Sequence, residues 1–158
     1  MMRIVVAGVG NVLRGDDGFG PAVAGRLHDL PEGVEVVETG IGGIALLQEL
    51  LAGCWGLVVV DAVDRDAPPG TVFVLEPDVD TAGAHVPDVH LADPSRVLAM
   101  AKGLGVLPDK VLIVGCQPAG MDELGEGLSP AVERAVGVAV ERVGAIVADW
   151  VGPSEAAA

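Results

Sequence analysis

The chain has 158 residues, 51% of them apolar and only 3% aromatic, and carries a formal net charge of -14. That length supports one domain with a real core, and the apolar share excludes disorder. The charge excludes nucleic acid and anionic membranes as partners, because both are recognised by clustered Lys and Arg, and most of it serves solubility.

The apolar run 3–7 predicts a buried strand that stops at Gly8. It is too short, and too quickly glycine-rich, for a signal peptide or a membrane span, so a cytoplasmic protein is expected. Next comes Gly8-Val9-Gly10-Asn11-Val12-Leu13-Arg14-Gly15-Asp16-Asp17-Gly18-Phe19-Gly20, ahead of a helical pattern over 21–30 with Val23, Leu27 and Leu30 on one face. Strand, Gly-rich turn and helix is where α/β proteins place their chemistry. Two adjacent carboxylates and no lysine suit a cation or a polarised substrate. They do not suit phosphate: Leu13 stands where G-x-G-x-x-G needs its third glycine, and no G-K-[ST] occurs. Glu38 imitates a ribose-binding acid, but Asp16 and Asp17 would repel a pyrophosphate.

Further strands are expected at 34–38, 57–60, 71–75 and 111–114, as continuous apolar runs of a sheet covered on both faces. A helix over 44–51 is expected to bury Leu47 and Leu51. No helix separates 57–60 from 71–75, only the turn Asp66-Ala67-Pro68-Pro69-Gly70, so that pair reads as a hairpin and the sheet as mixed. Residues 76–89 lack periodicity, which marks a functional segment in a compact domain. Asp93-Pro94 and Ser129-Pro130 are helix starts, with a polar cap followed by proline. The first of these helices carries Val97, Leu98, Ala101 and Leu104, and ends at Gly103 and Gly105. The second runs to Trp150 with Val132, Val136, Ala139, Val140, Val143 and Val147 as its stripe.

The order predicts a single three-layer α/β/α domain over residues 1–152, with a mostly parallel twisted sheet of about five strands, one of them open to antiparallel pairing. Residues 153–158 read as a frayed tail. Cys54 and Cys116 are the only cysteines, both in or beside apolar segments and without a CxxC, which predicts buried thiols and no disulfide or zinc site.

In such a sheet three strand ends converge. One gives Asp16 and Asp17, another Asp61 after Val58-Val59-Val60. Asp61 also fits a plain turn former, and the pattern alone does not separate the two roles. His28 reads as a surface residue near a helix end, while His85 and His90 fall in the irregular segment, His90 close to the Asp93-Pro94 helix start. Two carboxylates and one imidazole form a mixed set suited to Ni, Zn, Mn or Fe, and three protein ligands leave positions open for water or substrate.

Taken together, the motifs resemble the nickel–iron hydrogenase maturation endopeptidases. The resemblance lies in Gly8-Val9-Gly10-Asn11 with Gly15-Asp16-Asp17-Gly18-x-Gly20, in Thr39-Gly40-Ile41-Gly42-Gly43-Ile44, in Val59-Val60-Asp61-Ala62, in His90 ahead of Val97-Leu98, in Val114-Gly115-Cys116-Gln117-Pro118 and in Leu128-Ser129-Pro130-Ala131-Val132. It implies removal of a C-terminal extension from the precursor of the hydrogenase large subunit, after nickel has entered that precursor. It also implies that Asp17, Asp61 and His90 are the catalytic, metal-contacting trio. The first of these is often Glu in the family; here the second of two aspartates matches it, and Asp16 is left to shape the turn or orient its neighbour. The nickel is expected to arrive with the substrate, with no organic cofactor, and the enzyme to act as a monomer on the nickel-loaded precursor. Gln117 fits either a contact to the precursor's peptide or a hydrogen-bond former at a strand end. Two other functions fit the same residues: a metal-dependent aminopeptidase or amidohydrolase on this frame, and a non-enzymatic nickel- or precursor-binding partner.

Overall fold

Strand formation follows the apolar runs. The computed structural model describes residues 2–40, 43–79, 94–120, 125 and 127–152. In it β1 (Ile4–Val9), β2 (Val34–Gly40), β3 (Gly56–Ala62), β4 (Val72–Leu75) and β5 (Lys110–Cys116) form one sheet in the order β2-β1-β3-β5-β4. β1, β2, β3 and β5 are parallel, and β4 runs antiparallel to β5. This is the mostly parallel sheet with one antiparallel strand that the sequence predicts.

The expected hairpin is not formed. β4 pairs with β5, and β5 lies between β3 and β4. Burial explains the choice. β3 is apolar and buried along nearly its whole length, so it takes a neighbour on each side. β4 is only half-buried, with Val74 exposed, which suits an edge.

Among the described residues four α-helices cover the sheet: α1 (Phe19–Ala24), α2 (Ile44–Leu51), α3 (Pro94–Gly103) and α4 (Pro130–Val151). α1 and α4 pack with Val6, Val58, Val60 and Val114 on one face, and α2 and α3 with Val5, Ala7, Leu57 and Val59 on the other. The α4 stripe is as expected, with Ala135 added to the buried set and Val140 at its flank. α1 departs from expectation. It starts earlier and ends at Ala24, where the Arg26 and Leu27 N–H groups bond three residues back and tighten the last turn, and Leu27 and Leu30 reach the core from irregular chain. In α2 the buried pair is Leu46 and Leu50, one position back from the expected one, and Leu51 is exposed. The run Leu46-Leu47 with Leu50-Leu51 offers two equivalent i, i+4 faces, and packing against α3 and the sheet selects one. Leu104 lies beyond α3 and is exposed. Among the described residues no helix is long and apolar enough to cross a membrane.

One glycine fixes how closely α1 sits on the sheet. A Cβ on Gly20 would strike the carbonyl oxygens of Val9 and Val60, backbone atoms of two central strands. Gly20→Ala is expected to cost about 3 kcal/mol through overpacking. The check is the denaturant midpoint at unchanged slope.

Candidate active site

In this strand order the chain leaves β1 toward β2 on one side, while β3 lies on the other. The crevice at the carboxyl ends of β1 and β3 is the topological switch point, where open α/β sheets bind their ligands. Both predicted carboxylates are placed there.

Asp17 sits in a 3₁₀ turn, Gly15–Gly18, between β1 and α1. Its Oδ2 accepts the Asn11 N–H at 2.8 Å, and Asn11 Oδ1 accepts the Leu13 N–H at 2.9 Å. Gly10 makes this close return possible: its φ is +143°, and a side chain there would overlap the Asp17 carbonyl. The turn packs against β3. Asp61 is the penultimate residue of β3, opposite Gly115 of β5, and is 8% exposed. It opens into a cavity of about 730 Å³ walled by residues 61–65, by the chain after β4 and by the start of α3.

Asp16 turns the other way and is buried at 1% exposure. Its carboxylate accepts the Ser129 N–H at 2.7 Å, the Ser129 hydroxyl at 2.9 Å, the Ala119 N–H at 2.7 Å and the Gly120 N–H at 3.2 Å. Burial pushes its pKa up, but these donors outweigh burial and hold it below the ordinary carboxylate value. Asp16 therefore ties the opening turn to the loop after β5 and to the first residue before α4. The Ser129 hydroxyl, expected to cap α4, is used in this tie instead.

Gln117 follows β5 and is buried. Its Oε1 accepts the Arg65 N–H at 2.7 Å and the Ala67 N–H at 3.2 Å, and its Nε2 donates to Asp64 Oδ1 at 3.0 Å and to the Pro118 carbonyl at 3.3 Å. Of the two roles open to it, these bonds match the hydrogen-bond former at a strand end. The G-x-Q spacing could have signalled this: Gly115 leaves room for Val63, and Gln117, two residues on, reaches the same loop.

His90 and His85 lie outside the described residues, as do Asp93, Ile41, Gly42 and the tail 153–158. His28 is exposed beside Asp29, in the connection into β2, at the amino ends of the strands and so away from the crevice at their carboxyl ends. Among the described residues no group of three His, Cys, Asp or Glu side chains is set to hold a metal. The third member of the predicted trio, His90, is not among them. Both cysteines are free thiols. Cys116 is buried as expected, whereas Cys54 is only half-buried, on the chain leading into β3. Burial first, and then the Asp16 charge, push the Cys116 thiol up to about 11, so it is no thiolate nucleophile at neutral pH.

The chain as a whole is similar to known proteins. The hydrogenase maturation protease family model matches residues 22–146. Hydrogenase expression/formation protein HupD of Rhodobacter capsulatus is 34% identical over 96% of this chain and 81% of its own length. Among solved structures, the hydrogenase maturating endopeptidase HybD from E. coli superposes with a TM-score of 0.79 at 32% identity, over 92% of both chains. The hydrogenase maturation protease HycI from Thermococcus kodakarensis gives 0.72 at 26% identity, again over 92% of both. A family model over most of the chain, with relatives and solved structures alike at this identity and coverage, places the chain in the hydrogenase maturation protease family, as an endopeptidase.

Proposed function

We propose that this endopeptidase removes the C-terminal extension of a nickel–iron hydrogenase large-subunit precursor once nickel is in place, reading the metal through Asp17, Asp61 and His90. The observation that carries this reading is the placement of Asp17, in the turn after β1, and Asp61, at the carboxyl end of β3, at the switch point. Two carboxylates with an imidazole suit a borderline divalent ion, and nickel enters as part of the substrate. Asp61 is largely withdrawn from water, so its charge acts at reduced dielectric on whatever cation docks there. Nickel held by these residues would supply Lewis acidity to the scissile carbonyl, and a carboxylate of the pair would serve as general base toward the attacking water.

The turn that presents Asp17 also presents Val12 and Leu13, 51% and 52% exposed. It is rigid: Asn11 accepts from Leu13 and Arg14, and Leu13 and Gly15 bond Gly125. Two aliphatic side chains on a fixed turn beside the site suit an apolar surface of a folded precursor. The V12S/L13S variant is expected to raise KM about thirty-fold with kcat unchanged, since each side chain has about 1 kcal/mol of apolar area left to bury.

The function itself is tested by precursor mass. Nickel-loaded precursor is expected to lose its extension on incubation, and nickel-free precursor to stay intact. Equal trimming of both overturns the nickel reading. Hydrolysis of short peptides with a resident metal, and no trimming, points instead to an aminopeptidase or amidohydrolase.

A further inference from the structure

We infer that Gln117 is a positioning residue of the endopeptidase, whose side-chain amide holds residues 64–67 as the wall of the cleft beside Asp61. The inference rests on Asp61 belonging to the active site. A glutamine amide has two acceptor directions and two donor hydrogens, and here all four are used within the chain. A substrate contact to this amide would have to break one of those bonds in a buried place, so the side chain is committed to the loop.

The loop depends on it. Val63 N–H bonds the Cys116 carbonyl where the loop leaves β3, and Gly70 N–H bonds the Gln117 carbonyl where it returns. Between them, Asp66 holds a left-handed conformation at φ +55°, which is unfavourable for a residue other than glycine and needs support from its surroundings. Two N–H groups in this stretch, those of Arg65 and Ala67, are bonded to the Gln117 oxygen. The Asp64 carboxylate is bonded by the Gln117 nitrogen and by the Asp66 N–H. Asp64 and Arg65 line the same cavity as Asp61, and the Arg65 guanidinium lies 5.6 Å from the centre of the Phe73 ring. Loss of the amide would release this wall while leaving β3, and Asp61 within it, in the sheet.

The test uses the full-length enzyme with nickel-loaded precursor. In Q117E the introduced carboxylate still accepts from Arg65 and Ala67 but faces the Asp64 carboxylate. Its kcat per folded enzyme is expected to fall about ten- to a hundred-fold, as for a small misplacement of a reacting group, with KM within about two-fold. In Q117E/D64N the introduced amide donates to the introduced carboxylate, and kcat is expected to recover most of that loss. A purely structural role would move the melting temperature but not kcat per folded molecule. Amide exchange at Arg65 and Ala67 reads the clamp apart from activity, fast in Q117E and slow again in Q117E/D64N. A folded Q117E with wild-type kcat overturns the inference, as does a folded double variant that stays slow. Q117N keeps the amide but retracts it by one methylene. If Q117E does not fold, wild-type kcat in Q117N overturns the inference equally. If the wild-type enzyme leaves the precursor uncut, the function fails, while the exchange pattern still reports whether the clamp exists.

Discussion

Asp16→Ala is expected to destabilise the protein by about 3–5 kcal/mol, more than any other single change among the loops around the site. The Asp16 carboxylate holds three segments together. It is buried, it accepts four hydrogen bonds, and three of its donors are backbone N–H groups of Ala119, Gly120 and Ser129. Hydrogen bonds to a charged group contribute about 1.5–3 kcal/mol each, and a buried donor left without a partner costs about 1–3 kcal/mol. These terms overlap, so the sum is capped well below four times either one. The change also cuts the link between the opening turn, the loop after β5 and α4, so Asp17 loses its anchored neighbour and processing falls with stability. Urea unfolding at neutral pH measures the first effect; precursor trimming well below the melting temperature measures the second.

The sign of the pH dependence follows from the lowered Asp16 pKa, which burial opposes and the Ser129, Ala119 and Gly120 donors bring about. Because the folded value lies below the ordinary 3.8, the contribution is fully present above that value and is lost as pH falls through the folded pKa. Wild type and Asp16→Ala are therefore expected to differ most at neutral pH and to converge in acid below about pH 4. A gap that stays constant down to strong acid sinks the assignment of Asp16 as an ionised clamp.

What the sequence showed and what it hid have physical reasons. The sheet was legible because β1 and β3 are buried on both faces and so read as unbroken apolar runs. The partner of β4 was not, because adjacency along the chain suggests a hairpin, while the actual pairing depends on which strand needs two neighbours. The face of α2 was ambiguous because two leucine pairs satisfy the same helical spacing. At the site, Asp16 and Asp17 are indistinguishable as letters. The family resemblance assigns the second to the metal and leaves the first to the turn; the partners that set them apart appear only in three dimensions, where Asp16 is turned inward to Ser129 and Asp17 bonds Asn11. The bonds of Gln117 were hidden for the same reason: its partners lie 50 or more positions away, at Arg65, Ala67 and Asp64.

The largest expected effect on activity belongs to Asp61→Asn and Asp17→Asn, which are expected to lower processing about 10²–10⁴-fold, the range for removing a positioned acid–base group. The substitutions are nearly isosteric, and that makes them informative. In Asp17→Asn the remaining amide oxygen still accepts the Asn11 N–H, so the turn over Gly10 is retained and only the charge is removed. Asp61 lies in the β3 ladder, whose backbone pairing with Gly115 of β5 does not depend on the side chain. Both variants should therefore melt close to wild type while failing to trim nickel-loaded precursor. Asp17→Glu supplies the contrast. It keeps the charge and lengthens the reach from a half-buried position, and processing is expected to survive. A nickel-reading role predicts one thing more: wild type binds nickel-loaded precursor more tightly than nickel-free precursor, and each Asn variant narrows that difference. If Asp17→Asn and Asp61→Asn both trim at the wild-type rate, the crevice at the switch point is not the reaction centre. If they fail to trim but keep the full preference for loaded precursor, the carboxylates serve the chemistry and some other group reads the metal.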